Sequence, residues 1–472
     1  MKIAPVNNND VLQKSSITSF REKAACLQQE DFFSTHKTPI IVSSVALATL
    51  GIGVAGARFK SNKAAQNVEK EWAKNCSEYS KKLSAALEKY LGKKIEPESL
   101  SCVISGEELL KELPNLKREN FVPSVQNIKN GIFLADLHSH SNFSDGKGEV
   151  KEILDNVAKY ADKLNQINGK KFIYALTDHD GCEGVKKALS LISQNPQKYK
   201  NVKFVTASEI SYLIKSNKTS NPYETSEVLV YGFNPFEEKV NKFFTEIQSR
   251  RKKLAQDFIA DLNQRFGYAN FTFDEFAKTY LGEKGCMLMN NQWQVHHYGQ
   301  TKNAIAGLAG FQNRNKEELY KEIMGKTQRN NPTLGYLREM KLVPENFGDD
   351  SNITKICRGK YSPRDVENRI DYAGENNFDV IVNIFGGDKN VFGAFAHPYY
   401  VTERTTEYQK TLSDIVARSN GFIKATESFH QAYKGNINLK EVEKVNNFIV
   451  SKHKLLELGG RDNHERTWLE FT

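Results

Sequence analysis

The sequence predicts an α/β fold over residues 131–472, a barrel or sheet of parallel strands. Three observations carry this. Short apolar runs recur along the stretch: IFLADLHSH, KFIYALTDHD, VKFVTASEI, EVLVYGF, VFGAFAHP and LLELGGRDNH, each reading as a buried strand that ends in polar groups. Helical patterns such as VKEILDNVAKYADKLNQI lie between them, and such alternation builds parallel sheets or barrels. The histidines fall where the apolar runs end, and function in these folds gathers at the C-terminal ends of strands.

Composition agrees with a folded chain. The 472 residues are 39% hydrophobic and 26% charged, with 19 Tyr and 28 Phe, which is ample core material and excludes wholesale disorder. The 30 Gly and 12 Pro are too few for a collagenous or low-complexity chain. A net charge of +9 is a mild bias at this length, compatible with phosphate-bearing substrates without arguing for them. The cysteines (Cys26, Cys76, Cys102, Cys182, Cys286 and Cys357) include no CxxC pair, which argues against a zinc ribbon or a disulfide framework.

Residues 1–37 are polar and aperiodic and are expected to form a flexible tail. Thr38 to Ala57, TPIIVSSVALATLGIGVAGA, carries no charge between Lys37 and Arg58. At about 1.5 Å per residue it is long enough to span a hydrocarbon core, so a transmembrane helix is expected here. The alternative is a buried small-residue helix. Arg21, Lys23 and Lys37 precede it, and Arg58, Lys60, Lys63, Lys70 and Lys74 come after it. Positive-inside bias then places the C-terminal part in the cytoplasm, against an alternative of a soluble cytoplasmic protein. Gly51, Gly53 and Gly56 match GxGxxG, with Glu69 and Glu71 beyond, but dinucleotide binding requires βαβ units behind such a turn. The next stretch, VEKEWAKNCSEYSKKLSAALEKYLG, reads instead as a charged amphipathic helix, so the glycines fit better as helix-packing positions. Residues 58–130 are taken as a helical linker.

The chemistry gathers beyond residue 131. His138 and His140 are one residue apart, so on an extended strand both point to one face. Asp145 follows in the loop SNFSDG, His179 closes the next strand in LTDHD, and Glu209 ends the following one in TASEI. His397 sits in AFAHP, and Asp462 and His464 form a second i, i+2 pair in GGRDNH. Imidazoles and carboxylates gathered at strand ends make a ligand set for two to three divalent metal ions, Mn²⁺, Zn²⁺ or Fe²⁺.

Together HSHSNFSDG, TDHD, Glu209, AHP and GGRDNH resemble the PHP family, named for polymerase and histidinol phosphatase. Their order is most similar to the stand-alone phosphoesterases related to nucleotide phosphatases and 5′→3′ exonucleases. The resemblance covers about residues 132–472 and implies a distorted (β/α)7 barrel with a trinuclear centre. On that pattern His138, His140, Glu209 and Asp462 hold one metal. Glu209 bridges to a second that takes His397, and Asp145, His179 and His464 hold the third. The sequence departs at the ninth ligand: Glu227 stands where a histidine often precedes a strand like VLVYGFNP, as a ligand or a solvated carboxylate. Residues 235–344 read as a helical insertion, with RRKKLAQDFIADLNQRFGY amphipathic and similar to the family's small helical subdomain. There QVHHYG takes the place of an arginine-proline-histidine motif, making His297 a candidate to bind substrate phosphate or supply the missing ligand. His296 would face elsewhere, and a plain structural cap is the alternative for the insertion.

Other residues rank lower. Asp178 or Asp180 could orient His179, or both could be solvated turn carboxylates. His430 could line the pocket, Arg461 could contact phosphate or form an outward salt bridge, and His36 and His453 read as surface residues. The expected activity is metal-dependent hydrolysis of a phosphate ester by activated water, with no protein nucleophile. The resemblance favours a nucleotide or short 5′-phosphorylated oligonucleotide, although no basic stripe interleaved with aromatics marks a nucleic-acid groove. The alternatives are a small-molecule phosphatase of histidinol-phosphatase type, a catalytically silent PHP binding module tethered to a membrane through residues 38–57, and a metal amidohydrolase.

Overall fold

A computed structural model describes residues 77–144, 146, 148–218, 223–250, 376–430 and 439–464. The expected tail, the candidate membrane helix at 38–57, Asp145, His296, His297 and the insertion beyond residue 250 lie outside the described residues. Among the described residues no helix is long and apolar enough to cross a membrane.

Among the described residues, seven strands run in sequence order around a barrel: β2 (Ala135–Asp136), β3 (Phe172–Leu176), β4 (Val202–Lys215), β5 (Tyr223–Tyr231), β6 (Phe392–Phe395), β7 (Ile423–His430) and β8 (Leu456–Gly460). A short β1 (Val103–Ile104) adds to β4. The first and last barrel strands meet through Leu137 N–H to Gly459 O at 3.2 Å, Asp462 N–H to His138 O at 2.9 Å and His140 N–H to Asn463 O at 3.0 Å.

Two strand expectations change. β5 runs antiparallel to both β4 and β6. The connection from Lys215 to Tyr223 is too short for a parallel crossover, which needs about a dozen residues, so a hairpin is the only way back. Glu209 is not a strand end either. It sits within the long β4, where pairing with β3 gives out and pairing with β5 is under way.

A seven-stranded barrel has a narrow bore, and small side chains fill much of it. Ala135, Ala175, Ala207, Ala394 and Ala425 line the interior with Leu137, Leu229, Tyr231, Phe392 and Leu458. Leu109, Leu113 and Phe121 join this cluster from outside the barrel strands. They come from the stretch expected to be a linker, whose described part enters the domain. Its helix α1 (Glu78–Leu91) begins at a Ser77 cap and ends at Gly92 with φ +65°, a left-handed position that glycine takes without strain. Tyr79 of α1 donates 3.2 Å to Phe233 O, and Leu83 and Leu87 are fully buried. With α2 (Val150–Asn168) and α3 (Glu183–Gln194), α1 covers one side of the barrel. The helices α4 (Phe378–Phe385), α5 (Tyr408–Arg418) and α6 (Leu439–His453) cover the other.

Candidate metal centre

The seam between β2 and β8 sets the first ligands. Ser139 and Asn463 bridge in parallel, so their neighbours on both sides, His138 and His140, Asp462 and His464, turn to the opposite face. Ser139 is fixed away from that face: its hydroxyl accepts from Tyr174 at 2.9 Å, and its N–H donates to Thr177 Oγ1 at 3.0 Å. Beneath His138, the buried Tyr231 hydroxyl donates 2.7 Å to Leu137 O. Gly460 lets the strands approach, because a Cβ there would lie 2.3 Å from that of His138. Asp462 and His397 hold φ values of +49° and +28°, so unfavourable backbone concentrates where the polar side chains meet.

All of the sequence-predicted ligands within the described residues converge. His138 Nε2 stands 3.1 Å from His140 Nε2, 3.0 Å from Glu209 Oε2 and 3.4 Å from Asp462 Oδ1. His140 Nε2 stands 2.9 Å from Asp462 Oδ1 and 3.4 Å from Glu209 Oε2. Ligand bonds of about 2.1 Å give donor–donor edges of about 3.0 Å in an octahedron and about 3.4 Å in a tetrahedron, so these four groups fit one divalent cation. Glu209 reaches further: Oε2 lies 3.1 Å from His179 Nδ1 and Oε1 2.9 Å from His397 Nε2. Its two oxygens thus face different imidazoles, His179 on one side and His397 on the other. Glu227 Oε2 comes within 3.3 Å of His397 Nε2, because the antiparallel β5 carries it to the same end of the barrel. His140, His179 and His464 form a further group with ligand spacing, and the rings of His179 and His464 both stack on His140 at 4.4 Å.

Depth is graded. The side chains of His138, His140 and Glu209 have no exposure, whereas Glu227 retains 15%, Asp462 19% and His464 33%. The last three mark the open side.

Buried charges in this density must neutralise one another. Burial alone would depress the His138 pKa, but Glu209, Glu427 and Asp462 outweigh it and hold it well above the ordinary value. Burial likewise opposes the charge on His397, yet Glu209 and Glu227 push its pKa up to about 9. The carboxylates answer in kind: burial favours their neutral forms, but His138 and His179 hold Glu209 well below the usual range, and His138 and His140 do the same for Asp462. Without a cation, His138 and His397 are thus biased toward their protonated forms against these carboxylates, and a divalent ion would displace those protons.

The lower-ranked residues resolve differently. Asp178 accepts from Ser141 N at 2.6 Å, Ser141 Oγ at 2.8 Å and Ser144 Oγ at 2.9 Å, bracing the loop after His140. Asp180 holds Ser211 N and Oγ, each at 2.9 Å, and ties the His179 loop to β4. Both are buried braces, not solvated carboxylates. Arg461 forms a salt bridge inward and not outward, its Nε 3.0 Å from the buried Asp136 Oδ2. His430 reaches the centre, with Nε2 3.2 Å from Asp462 Oδ2. His453 ends α6, partly buried against Ser413 Oγ at 3.1 Å. Glu427 on β7 was missed. Its segment IKATESFH is too polar to read as a buried strand, and the alternation of Ile423 with Ala425 is the signal that could have found it.

No family model matches the chain, and no curated protein does. Among solved structures it is similar to a candidate metal-dependent phosphoesterase of Bifidobacterium adolescentis, at 16% identity and TM-score 0.42, over 71% of this chain and 90% of that one. An amidohydrolase of Chromobacterium violaceum, with bound sulfate and no metal, is similar at 16% identity and TM-score 0.40, over 70% of this chain and 87% of that one. Overlaps of this extent leave the functional reading to the geometry of the site.

Proposed function

We propose that this chain is a metal-dependent phosphoesterase of PHP type. The observation that carries the reading is the convergence of His138 and His140, whose Nε2 atoms lie within 3.4 Å of each other and of a Glu209 and an Asp462 oxygen, with Glu209 reaching across to His179 and His397. Bound divalent cations would supply water activated at neutral pH and positive charge against phosphoryl oxygens. The protein's own part is positional. Glu209 would join the sub-sites, the β2–β8 seam fixes His138 and His140, and the partly exposed edge at Glu227, Asp462 and His464 is the side from which a phosphate would approach. The reading assigns no side chain among the described residues as a nucleophile.

For substrate we favour a nucleotide or a short 5′-phosphorylated oligonucleotide, with a histidinol-phosphatase-like monoester as the second reading. Both rest on the sequence motifs. His297 as a phosphate ligand and anchoring through residues 38–57 belong to the same proposal.

The test is phosphate release by the purified full-length chain with added Mn²⁺. The substrates are a nucleoside 3′,5′-bisphosphate, a 5′-phosphorylated oligoribonucleotide and histidinol phosphate, with His138→Ala as control. Turnover of one, absent in the control, is expected. Bound metal without turnover of any would turn the reading toward a binding module or another ester.

A further inference from the structure

Glu427 is fully buried on β7, yet each of its oxygens is engaged by a different candidate ligand. Oε1 lies 3.0 Å from His138 Nδ1, and Oε2 accepts from the backbone N–H of His397 at 2.9 Å. Each contact has a distinct consequence. A neutral imidazole has one N–H and one lone pair, so a His138 that donates through Nδ1 must present its lone pair at Nε2. Nε2 is the atom that faces His140, Glu209 and Asp462. The second contact fixes a strained backbone, since His397 holds φ +28° and its N–H has a charged acceptor to keep it there. The two rings stack 5.9 Å apart, so one carboxylate governs both sides of the cluster.

A competing arrangement exists. His138, Glu427 and His430 are close enough to hold an ion among themselves. That would use His138 through Nδ1, take Glu427 away from His138, and leave the four-donor group without its central imidazole as a simple ligand. The hydrogen bonds favour the first arrangement, because both Glu427 oxygens already have donors at 3.0 Å or less.

We propose that Glu427 is a positioning residue of the metal centre and not a ligand: it locks His138 with Nε2 toward the ion and pins the backbone of His397. This rests on the metal-centre reading above. Carboxylates placed behind a ligating histidine commonly raise metal affinity about 10- to 100-fold. An amide in the same place can accept from one of the two N–H groups but must present its NH₂ to the other, so Glu427→Gln loses at least one contact.

The experiment measures Zn²⁺ affinity and stoichiometry by calorimetry on the metal-free full-length protein, wild type against Glu427→Gln and Glu427→Asp. Thermal midpoints are recorded in chelator. The expected result is a Gln variant with unchanged stoichiometry at saturation, affinity about 10- to 100-fold weaker, and partial rescue by Asp. Wild-type affinity in the Gln variant overturns the proposal while leaving the metal centre standing. Loss of one equivalent at every concentration overturns it too, since Glu427 would then be a ligand. A wild type that binds no Zn²⁺ removes the metal centre itself, and this proposal with it. Should the Gln variant fail to fold, a two-bond ¹H–¹⁵N correlation spectrum of the Zn²⁺-loaded wild type decides. His138 bound through Nε2, with its proton on Nδ1, is expected. Binding through Nδ1 overturns the proposal.

Discussion

Two parts of this barrel each hold fully buried side chains and are made of opposite materials. Away from the polar end, Leu109 and Leu113 extend the interior cluster with hydrocarbon, Phe121 of the same cluster stacks on Phe429 at 5.8 Å, and Leu134 N–H donates to Asn120 O to seat this plug beside β2. At the other end His138, His140, Glu209 and Glu427 occupy positions with no exposure. Burying the first set is favourable wherever it packs. Burying the second costs desolvation that only mutual pairing or a bound cation offsets. One end therefore stabilises the fold while the other holds charges that the fold must be rigid enough to keep together. Substitutions at the two ends should separate activity from stability.

The sharpest break is at the polar end. Asp462→Asn preserves shape but removes the charge that faces His138, His140 and His430. Turnover is expected to fall by more than about 100-fold, beyond the usual effect of losing a contact behind a ligand, with loss of bound metal. Metal analysis and phosphate release on the same preparation check it. Wild-type turnover would remove Asp462 from the centre.

The hydrocarbon end predicts the converse. Leu109 is fully buried, and Leu109→Ala should cost about 2–5 kcal/mol of stability, read from denaturant midpoints, while turnover per folded molecule holds. A chain beginning at residue 131 would lose the plug, β1 and α1 together and is expected not to fold.

That second prediction was not legible in the sequence, and the first was. The polar end announces itself because His138 and His140, or Asp462 and His464, lie two residues apart just beyond a strand, a spacing that survives any error in strand boundaries. The plug is written in isolated leucines and a phenylalanine, each in a short helical turn, with no period to show that they meet. Strand β7 escaped for a related reason: Thr426, Glu427 and Ser428 dilute the apolar signal of a strand that is nonetheless buried. Glu209 was found as a residue but misplaced as a strand end, because the strand runs on without a break from TASEI into SYLIK, the stretch that pairs with β5. The direction of β5 could have been inferred from its short connection to β4 alone.

The ends should also differ in their response to pH. The raised pKa of His397, about 9, means its pairing stabilises the metal-free fold fully below the ordinary imidazole value of about 6.5. That contribution is lost as pH climbs through about 9. The depressed carboxylates, Glu209, Glu427 and Asp462, act in the opposite sense: their contribution is present above the ordinary carboxylate range and lost as pH falls through their lowered values. Thermal midpoints in chelator should therefore decline on both limbs, and added Mn²⁺ should lift the alkaline one, where protons no longer compete. Leu109→Ala should lower the whole curve without changing its shape. A metal-free curve flat through the alkaline limb would show that the imidazolium pairs contribute little.

The smallest expected effect is at the rim. Glu227 is partly exposed and lies 3.3 Å from His397 Nε2, so solvent can take over part of its role. Glu227→Gln should lower kcat/KM by about tenfold, less than any loss at the buried ligands. Glu227→His puts imidazole where the resembled family usually has it. Recovery of activity with His, but not with Gln, would mark Glu227 as the ninth ligand; equal activity in both would leave it a solvated carboxylate beside the site. Because β5 is antiparallel, this rim position and the buried Glu209 lie on adjacent, hydrogen-bonded strands, Glu227 opposite Ser211 and Glu209 opposite Leu229. Their contrast is therefore one of depth on a shared wall, and a graded loss from Glu209 to Glu227 would show that burial, not ligand type alone, sets how much each carboxylate matters.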